Sequence, residues 1–420
     1  MKKAEKFISA LLILPVFIVS LSFGGCSDSY KDYGRVFNVL WCDVRLNGGG
    51  SKKAGKEIFK LMEEIDNAVS TSNPSSPVYK FNNNENKTVS YREEIDFLTY
   101  DMAKHCKEIY GDGDTQGAFD PAVYPLVEAW GVSSDKLYRG HNEPPDKIDG
   151  KIDEYLAYCR YEYLDIIKEG DGEAVKYYFG ITDGKAKALK IDFGAYAKGY
   201  AADKAAEICK KHGVKYGTVN ISGNVILIGA KPDGSDWYVD LTNPFWAKDG
   251  VEDEPFFCTF AAKACSPVSS GVYERYYSVK SDGAYAGSVL TAPIFNGGNV
   301  YVTHIIDPAT GYPINLKRAD NGGGGYTYYN ETGVVNATVF HQSSALADAY
   351  ATVVTVLGMD KGIEFLEKKG LSGIIVTGDG KGENVEYAVV GGVRIAGGGI
   401  GEANEFYKKC AVKPGYGFAK

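Results

Sequence analysis

Ile191-Asp192-Phe193-Gly194-Ala195-Tyr196-Ala197-Lys198-Gly199-Tyr200-Ala201-Ala202-Asp203 changes its hydrophobic pattern midway. Up to residue 193 the chain reads as a short strand, 187–193. After a glycine-containing turn it reads as a helix over 197–212. The first turn of a helix presents unpaired backbone N–H groups, and Lys198 is placed there to meet an anion. The spacing is neither a dinucleotide fingerprint nor a P-loop, so by itself it is a weak phosphate signal.

Outward from this passage, strands and helices mix without a regular β-α-β alternation, which indicates an α+β fold. Ala54, Ile58, Leu61, Met62, Ile65 and Val69 recur at helical spacing over 52–69, and Ile95, Leu98, Met102, Cys106 and Ile109 do so over 93–110. Further helices are expected over 151–168 and 343–357. Strands are expected over 37–46, 218–228, 237–241, 256–262, 300–306, 336–340, 373–377 and 386–390. The glycine-rich stretch 320–333 reads as a mobile surface loop.

Three more segments carry residues suited to a site. Gly117-Ala118-Phe119-Asp120-Pro121 opens a turn before an apolar face made by Leu126, Val127 and Trp130; a plain loop accounts for it equally well. His304 follows an apolar strand and precedes the Asp307-Pro308 turn, where an imidazole beside a carboxylate suits a general base, although a lone His is more often structural. On the helix over 343–357, Leu346, Ala349, Tyr350, Val353 and Leu357 form the expected buried stripe. Ser344, Asp348 and Thr352 fall on a second stripe at spacings of four. A carboxylate and a hydroxyl there are hard oxygen ligands suited to Mg2+; the alternative is a solvated polar face.

The N-terminus reads as an export signal. Lys2, Lys3 and Lys6 precede an apolar run from Phe7 to Phe23, closed by Gly24-Gly25-Cys26. Cys26 stands where a bacterial lipoprotein signal places its acylated cysteine. The expectation is export and lipid anchoring to the outer face of a membrane through Cys26, with a simple transmembrane anchor as the alternative. Residues 1–25 are then the signal, 26–36 a polar tether and 37–420 one catalytic unit. Removing a leader with three lysines and one glutamate takes the formal charge of −8 to −10, which argues against nucleic acid as a partner. The other seven cysteines include no CxxC pair and read as small buried hydrophobes.

Together and in this order, these segments resemble the ApbE family of FAD:protein FMN transferases, over nearly the whole chain from Phe37 to Leu371. Ser70-Thr71 with Pro74-Ser75-Ser76 and Phe81-Asn82 is similar to its serine-rich segment, and residues 117–131 to its AFDPTVGPLVxLWGF stretch. Residues 192–203 resemble DxGGIAKGYAxD, 220–224 NxGGD, 304–313 HIIDPxTGxP, and 345–352 ALADALAT. The resemblance implies a compact, T-fold-related unit of mixed sheets and helices. It implies Asp348, the Thr352 hydroxyl and the Ala195 carbonyl as Mg2+ ligands. It places Ala118, Phe119, Asp120, Asp192, Lys198 and Ile305 along FAD, and His304 and Asp307 by the reacting phosphate. The implied reaction moves FMN from FAD to a threonine of an acceptor flavoprotein and releases AMP. A Mg2+-dependent FAD pyrophosphatase and a non-catalytic FAD-binding lipoprotein are the alternatives. Ser72 stands where the family has an aromatic residue, with Trp41 as a substitute surface, and Ser222 replaces a glycine. Insertions near 281–300 and 321–333 flank His304.

Overall fold

The computed structural model describes residues 31–36, 41–133, 145–182, 184–245, 256–290, 299–379, 382, 384–396 and 410–416. The export signal and Cys26 lie outside them, as does much of the first insertion. No helix among the described residues is long and apolar enough to cross a membrane.

Two large sheets adjoin at one edge, and each carries one of a pair of helices. The first sheet runs β1 (Lys31–Val36), β2 (Trp41–Asn47), β6 (Tyr216–Ile221), β7 (Asn224–Ile228), all antiparallel. The second runs β10 (Ser266–Gly271), β16 (Gly333–His341), β17 (Ser372–Gly378), β18 (Glu386–Val390), β20 (Ala411–Val412). Helix α7 (Ala197–Lys211) lies on β6 and β7, α8 (Ser344–Leu357) lies on β10 and β16, and the two helices pack on each other. Helices α1 (Ser51–Val69), α2 (Pro77–Asn83), α3 (Phe97–Tyr110) and α9 (Met359–Lys369) complete this body. On α1, Ala54, Ile58, Met62 and Ile65 are fully buried, as the helical spacing requires.

Smaller sheets extend it: β3 (Arg92–Ile95), β5 (Lys176–Ile181) and β4 (Leu164–Glu169); β19 (Arg394–Ile395), β9 (Phe256–Ala262) and β8 (Trp237–Thr242); β12 (Tyr285–Leu290), β11 (Arg275–Val279) and β13 (Val300–Thr303); and the hairpin β14 (Leu316–Asp320) with β15 (Tyr326–Asn330). Short helices α4 (Tyr124–Ala129), α5 (Pro145–Asp149) and α6 (Ile152–Leu156) cover the last two groups.

Several expectations are corrected. The helix over 151–168 stops at Leu156; a 3-10 turn follows and Leu164–Glu169 pairs with β5, because tertiary pairing overrides an ambiguous apolar run. The helix over 93–110 starts only at Phe97, with Asp96 as cap: its Oδ1 accepts from Thr99 N at 2.8 Å. The single strand over 218–228 is a hairpin, turning at Ser222 (φ 49°) and Gly223 (φ 96°). The loop over 320–333 is mostly the β14–β15 hairpin and the start of β16. Within the expected tether, Lys31–Val36 pairs with β2. No strand forms over 187–193. Of the seven cysteines, five are buried and two half-buried, and all are free thiols.

Candidate active site

The turn before α7 is built by its own side chain: Asp192 Oδ1 accepts from Gly194 N at 2.9 Å. Among the described residues the segment leading into it has no strand neighbour, so its backbone groups are satisfied elsewhere. Asn82 accepts from Ile191 N (2.8 Å) and donates to Ile191 O (2.7 Å). The buried Lys87 ammonium donates to Leu189 O (2.6 Å) and Phe81 O (2.8 Å). Asp192 N donates to Pro121 O at 2.9 Å, which joins the Asp120–Pro121 turn to this segment.

Helix α7 then meets α8 at close range. A Cβ on Gly199 would fall 2.3 Å from Ser344 O, so only glycine fits there. Asp203, one turn further along α7, caps α8: it accepts from Ser343 Oγ (2.6 Å), Ser344 N (2.6 Å) and Ala345 N (3.1 Å). This contact brings Asp348 onto α7. Gly199 N donates to Asp348 Oδ2 (3.1 Å), and the Lys198 ammonium donates to Asp348 Oδ1 (3.3 Å) and to Gly194 O (2.9 Å). Asp348 is 2% exposed and Ser344 0%, whereas Leu346 and Tyr350 are half-buried. The expected polar stripe is therefore an interior stripe, not a solvated one. Thr352 Oγ1 donates to Asp348 O (3.3 Å) and hydrogen-bonds the Ser270 hydroxyl (3.1 Å).

His304 enters from β13. Its backbone N (3.2 Å) and its Nδ1 (3.0 Å) both lie against Arg275 O. A carbonyl only accepts, so Nδ1 carries the proton and Nε2 keeps its lone pair. Burial, helped by the Arg275 and Lys198 charges, holds the imidazole well below its ordinary value, hence neutral. Asp307 is turned into its own turn: its carboxylate accepts from Ala309 N (2.9 Å) and Thr310 Oγ1 (3.0 Å). That turn is tied to the Asp120 segment, because Trp130 Nε1 donates to Gly311 O at 2.7 Å.

Asp120 caps the turn Pro121–Val123 through Ala122 N (2.8 Å), and burial pushes its carboxyl up to about 7. Ala118 and Phe119 are buried in the main core and Ile305 in the second, so their backbones are what they offer a ligand. Ala195 is half-buried in the turn before α7. Ser72 is exposed.

Sequence reasoning missed the segment Ser270–Arg275, which runs between Thr352 and His304. Its Glu274 feels Lys198 and Asp348 electrostatically; burial pushes its carboxyl up, while Lys198 and Arg275 oppose that. The available signal was the charged pair Glu274-Arg275 set inside the apolar run Val272, Tyr273, Tyr276, Tyr277.

The ApbE family model matches residues 36–375. The chain belongs to the ApbE family. Among its relatives, the FAD:protein FMN transferase of Vibrio cholerae is 27% identical over 354 residues, covering 83% of this chain and 86% of that protein. The FAD:protein FMN transferase of Treponema pallidum is 24% identical over 380 residues, covering 87% and 90%. The crystal structure of the ApbE protein of Thermotoga maritima superposes with a TM-score of 0.61 at 25% identity, over 83% of this chain and 94% of that one. That of Pseudomonas stutzeri flavinyl transferase ApbE gives 0.62 at 22% identity, over 86% and 95%. The compact α+β arrangement is thus the ApbE fold.

Proposed function

We propose that this ApbE-family chain is a flavin transferase that moves FMN from FAD to a threonine hydroxyl of an acceptor protein and releases AMP. The observation that carries this reading is the meeting of three motifs, which bring together Lys198, Asp348 with Thr352, and His304. The acceptor oxygen bonds to the FMN phosphorus, and the bond from that phosphorus to the bridging pyrophosphate oxygen breaks. AMP leaves with that oxygen. A threonine hydroxyl is a weak nucleophile and needs a base. His304 Nε2, neutral and with its lone pair free of the Arg275 carbonyl, takes the hydroxyl proton. Asp307 serves by shaping the turn behind it.

Asp348, Thr352 and the Ala195 carbonyl are the groups that would hold Mg2+. The fit is tested by what surrounds them. The Lys198 ammonium already bridges Asp348 and the Gly194 carbonyl, so the spot suits a cation. Thr352 donates its proton to Asp348 O and accepts from Ser270, which leaves one lone pair for a metal. When bound, Mg2+ neutralises charge that builds on the pyrophosphate. The protein alone supplies few ligands, which accords with a cation completed by water and phosphate. The groups that would hold FAD are the backbone of Ala118 and Phe119, with Asp120, Asp192, Lys198 and Ile305. Cys26 carries the lipid that holds the enzyme at the outer face of a membrane.

The test incubates the protein with FAD, Mg2+ and a threonine-bearing acceptor protein, and reads flavin fluorescence on the acceptor in a gel. Labelling is expected. FMN and AMP without labelling would mean a pyrophosphatase; FAD binding with neither product would mean a carrier.

A further inference from the structure

The turn that follows His304 is a closed loop. Asp307 N donates to Tyr312 O (2.9 Å), Gly311 N to Asp307 O (2.8 Å) and Ile314 N to Ile305 O (3.0 Å), and Ile305 is the neighbour of His304. A displacement of Tyr312 therefore passes through the loop to the imidazole. Trp130 fixes the loop at Gly311 O, and its ring lies 5.5 Å from that of Tyr312. The Tyr312 phenol carries a second tether: it donates to Asp149 Oδ1 at 2.7 Å. Burial, with the Asp149 hydrogen bond and charge, holds the phenol above its ordinary range, so it keeps its proton for that bond.

Asp149 closes helix α5, and its side chain is 3% exposed. Its Oδ2 serves a different element. Arg318 and Tyr328 face each other across β14 and β15, so their side chains leave on one face of the hairpin. Both reach Oδ2, the guanidinium at 2.6 Å and the phenol at 2.8 Å. The Arg318 guanidinium also lies over the Tyr312 ring at 6.0 Å. A two-stranded hairpin is marginal by itself, and of this one only Leu316 and Tyr328 are buried. One buried carboxylate thus holds the hairpin with one oxygen and the loop behind His304 with the other.

We propose that Asp149 is a positioning residue for the transfer: by holding Tyr312 against the hairpin β14–β15, it fixes the loop that sets His304 in place. The proposal rests on His304 as the base of that reaction. Trp130 does not duplicate this hold, because it grips the carbonyl of Gly311 and leaves the Tyr312 side chain to Asp149. Asp149 acts through Tyr312, so losing either partner has the same consequence.

AMP release from FAD by the full chain, with Mg2+ and an acceptor protein, tests this. Tyr312→Phe keeps the ring and removes the bond to Asp149; kcat should fall about tenfold, with KM for FAD within about twofold of wild type. Asp149→Ala should cost about tenfold in the wild type and less than about twofold further in Tyr312→Phe. Asp149→Asn keeps an oxygen that accepts from the phenol and should hold kcat within about threefold of wild type. The indole N–H resonance of Trp130 in isotope-labelled protein reads the loop without catalysis. Asp149→Ala should shift it and leave in place that of Trp237, which is bonded to Gly229 O. Unchanged kcat in Tyr312→Phe overturns the proposal, as do equal Asp149→Ala losses in both backgrounds. An unmoved Trp130 resonance overturns it, and so does a shift of both resonances, which would mark general loosening. If the wild type releases no AMP, the transferase reading fails and the catalytic role with it, while the Trp130 resonance still decides whether Asp149 holds the loop.

Discussion

Asn82→Ala is the substitution for which the structure sets the size of the effect most directly. Asn82 is 3% exposed on α2, and its amide spans both backbone groups of Ile191, at 2.8 Å and 2.7 Å. Among the described residues no strand lies beside Ile191, so truncation leaves one buried N–H and one buried C=O without partners. Each costs about 1–3 kcal/mol, so the loss should be roughly 2–6 kcal/mol, at the low end if water enters the gap. The next residue is Asp192, which shapes the turn before Lys198. FAD affinity should therefore fall as well, by about tenfold or about 1.4 kcal/mol. Asn82→Asp keeps the acceptor for Ile191 N but faces a carboxylate against Ile191 O, and should be no better than Ala. Urea unfolding followed by tryptophan fluorescence gives the stability, and equilibrium dialysis gives FAD affinity. A loss below about 0.5 kcal/mol with unchanged FAD affinity, the size of a surface change, would refute the claim that Asn82 stands in for a missing strand.

Three further outcomes follow from particular contacts. Gly199→Ala places its Cβ 2.3 Å from Ser344 O and must force α7 from α8, so stability should drop by about 1–3 kcal/mol or more in urea unfolding. Burial depresses the Lys87 ammonium from 10.5 to about 7; its contribution is present above pH 10.5 and is lost as pH falls through 7, so the difference in unfolding free energy between wild type and Lys87→Met should rise between those values. A flat difference would contradict the burial of that charge. Trp130→Phe removes the donor to Gly311 O and should cost about 1–3 kcal/mol while lowering kcat more than it raises KM for FAD, because the His304 turn loosens.

What the sequence makes legible is local and periodic. The stripe on α1 and the starts of α7 and α8 follow from spacing; in the structure Ser343 caps α8, its Oγ accepting from Leu346 N at 3.2 Å. What escapes is set by partners distant in sequence. The stretch before Asp192 is extended but unpaired, because Asn82, Lys87 and Pro121 satisfy it from outside. The strand Leu164–Glu169 carries no period that separates it from a helix. On α8 both stripes turn inward: Ala349 and Val353 are buried as expected, and α7 also covers Ser344 and Asp348, binding the latter with Gly199 N and Lys198. Glu274 escapes because only the folded turn between Thr352 and His304 gives it a place.

The transfer of FMN to a protein is tested most directly by the mass of an acceptor protein after incubation with this enzyme, FAD and Mg2+. The account predicts that the acceptor gains one FMN less one water on a threonine, that AMP appears in equal amount, and that Asp348→Ala abolishes both. AMP and free FMN with an acceptor of unchanged mass would contradict it.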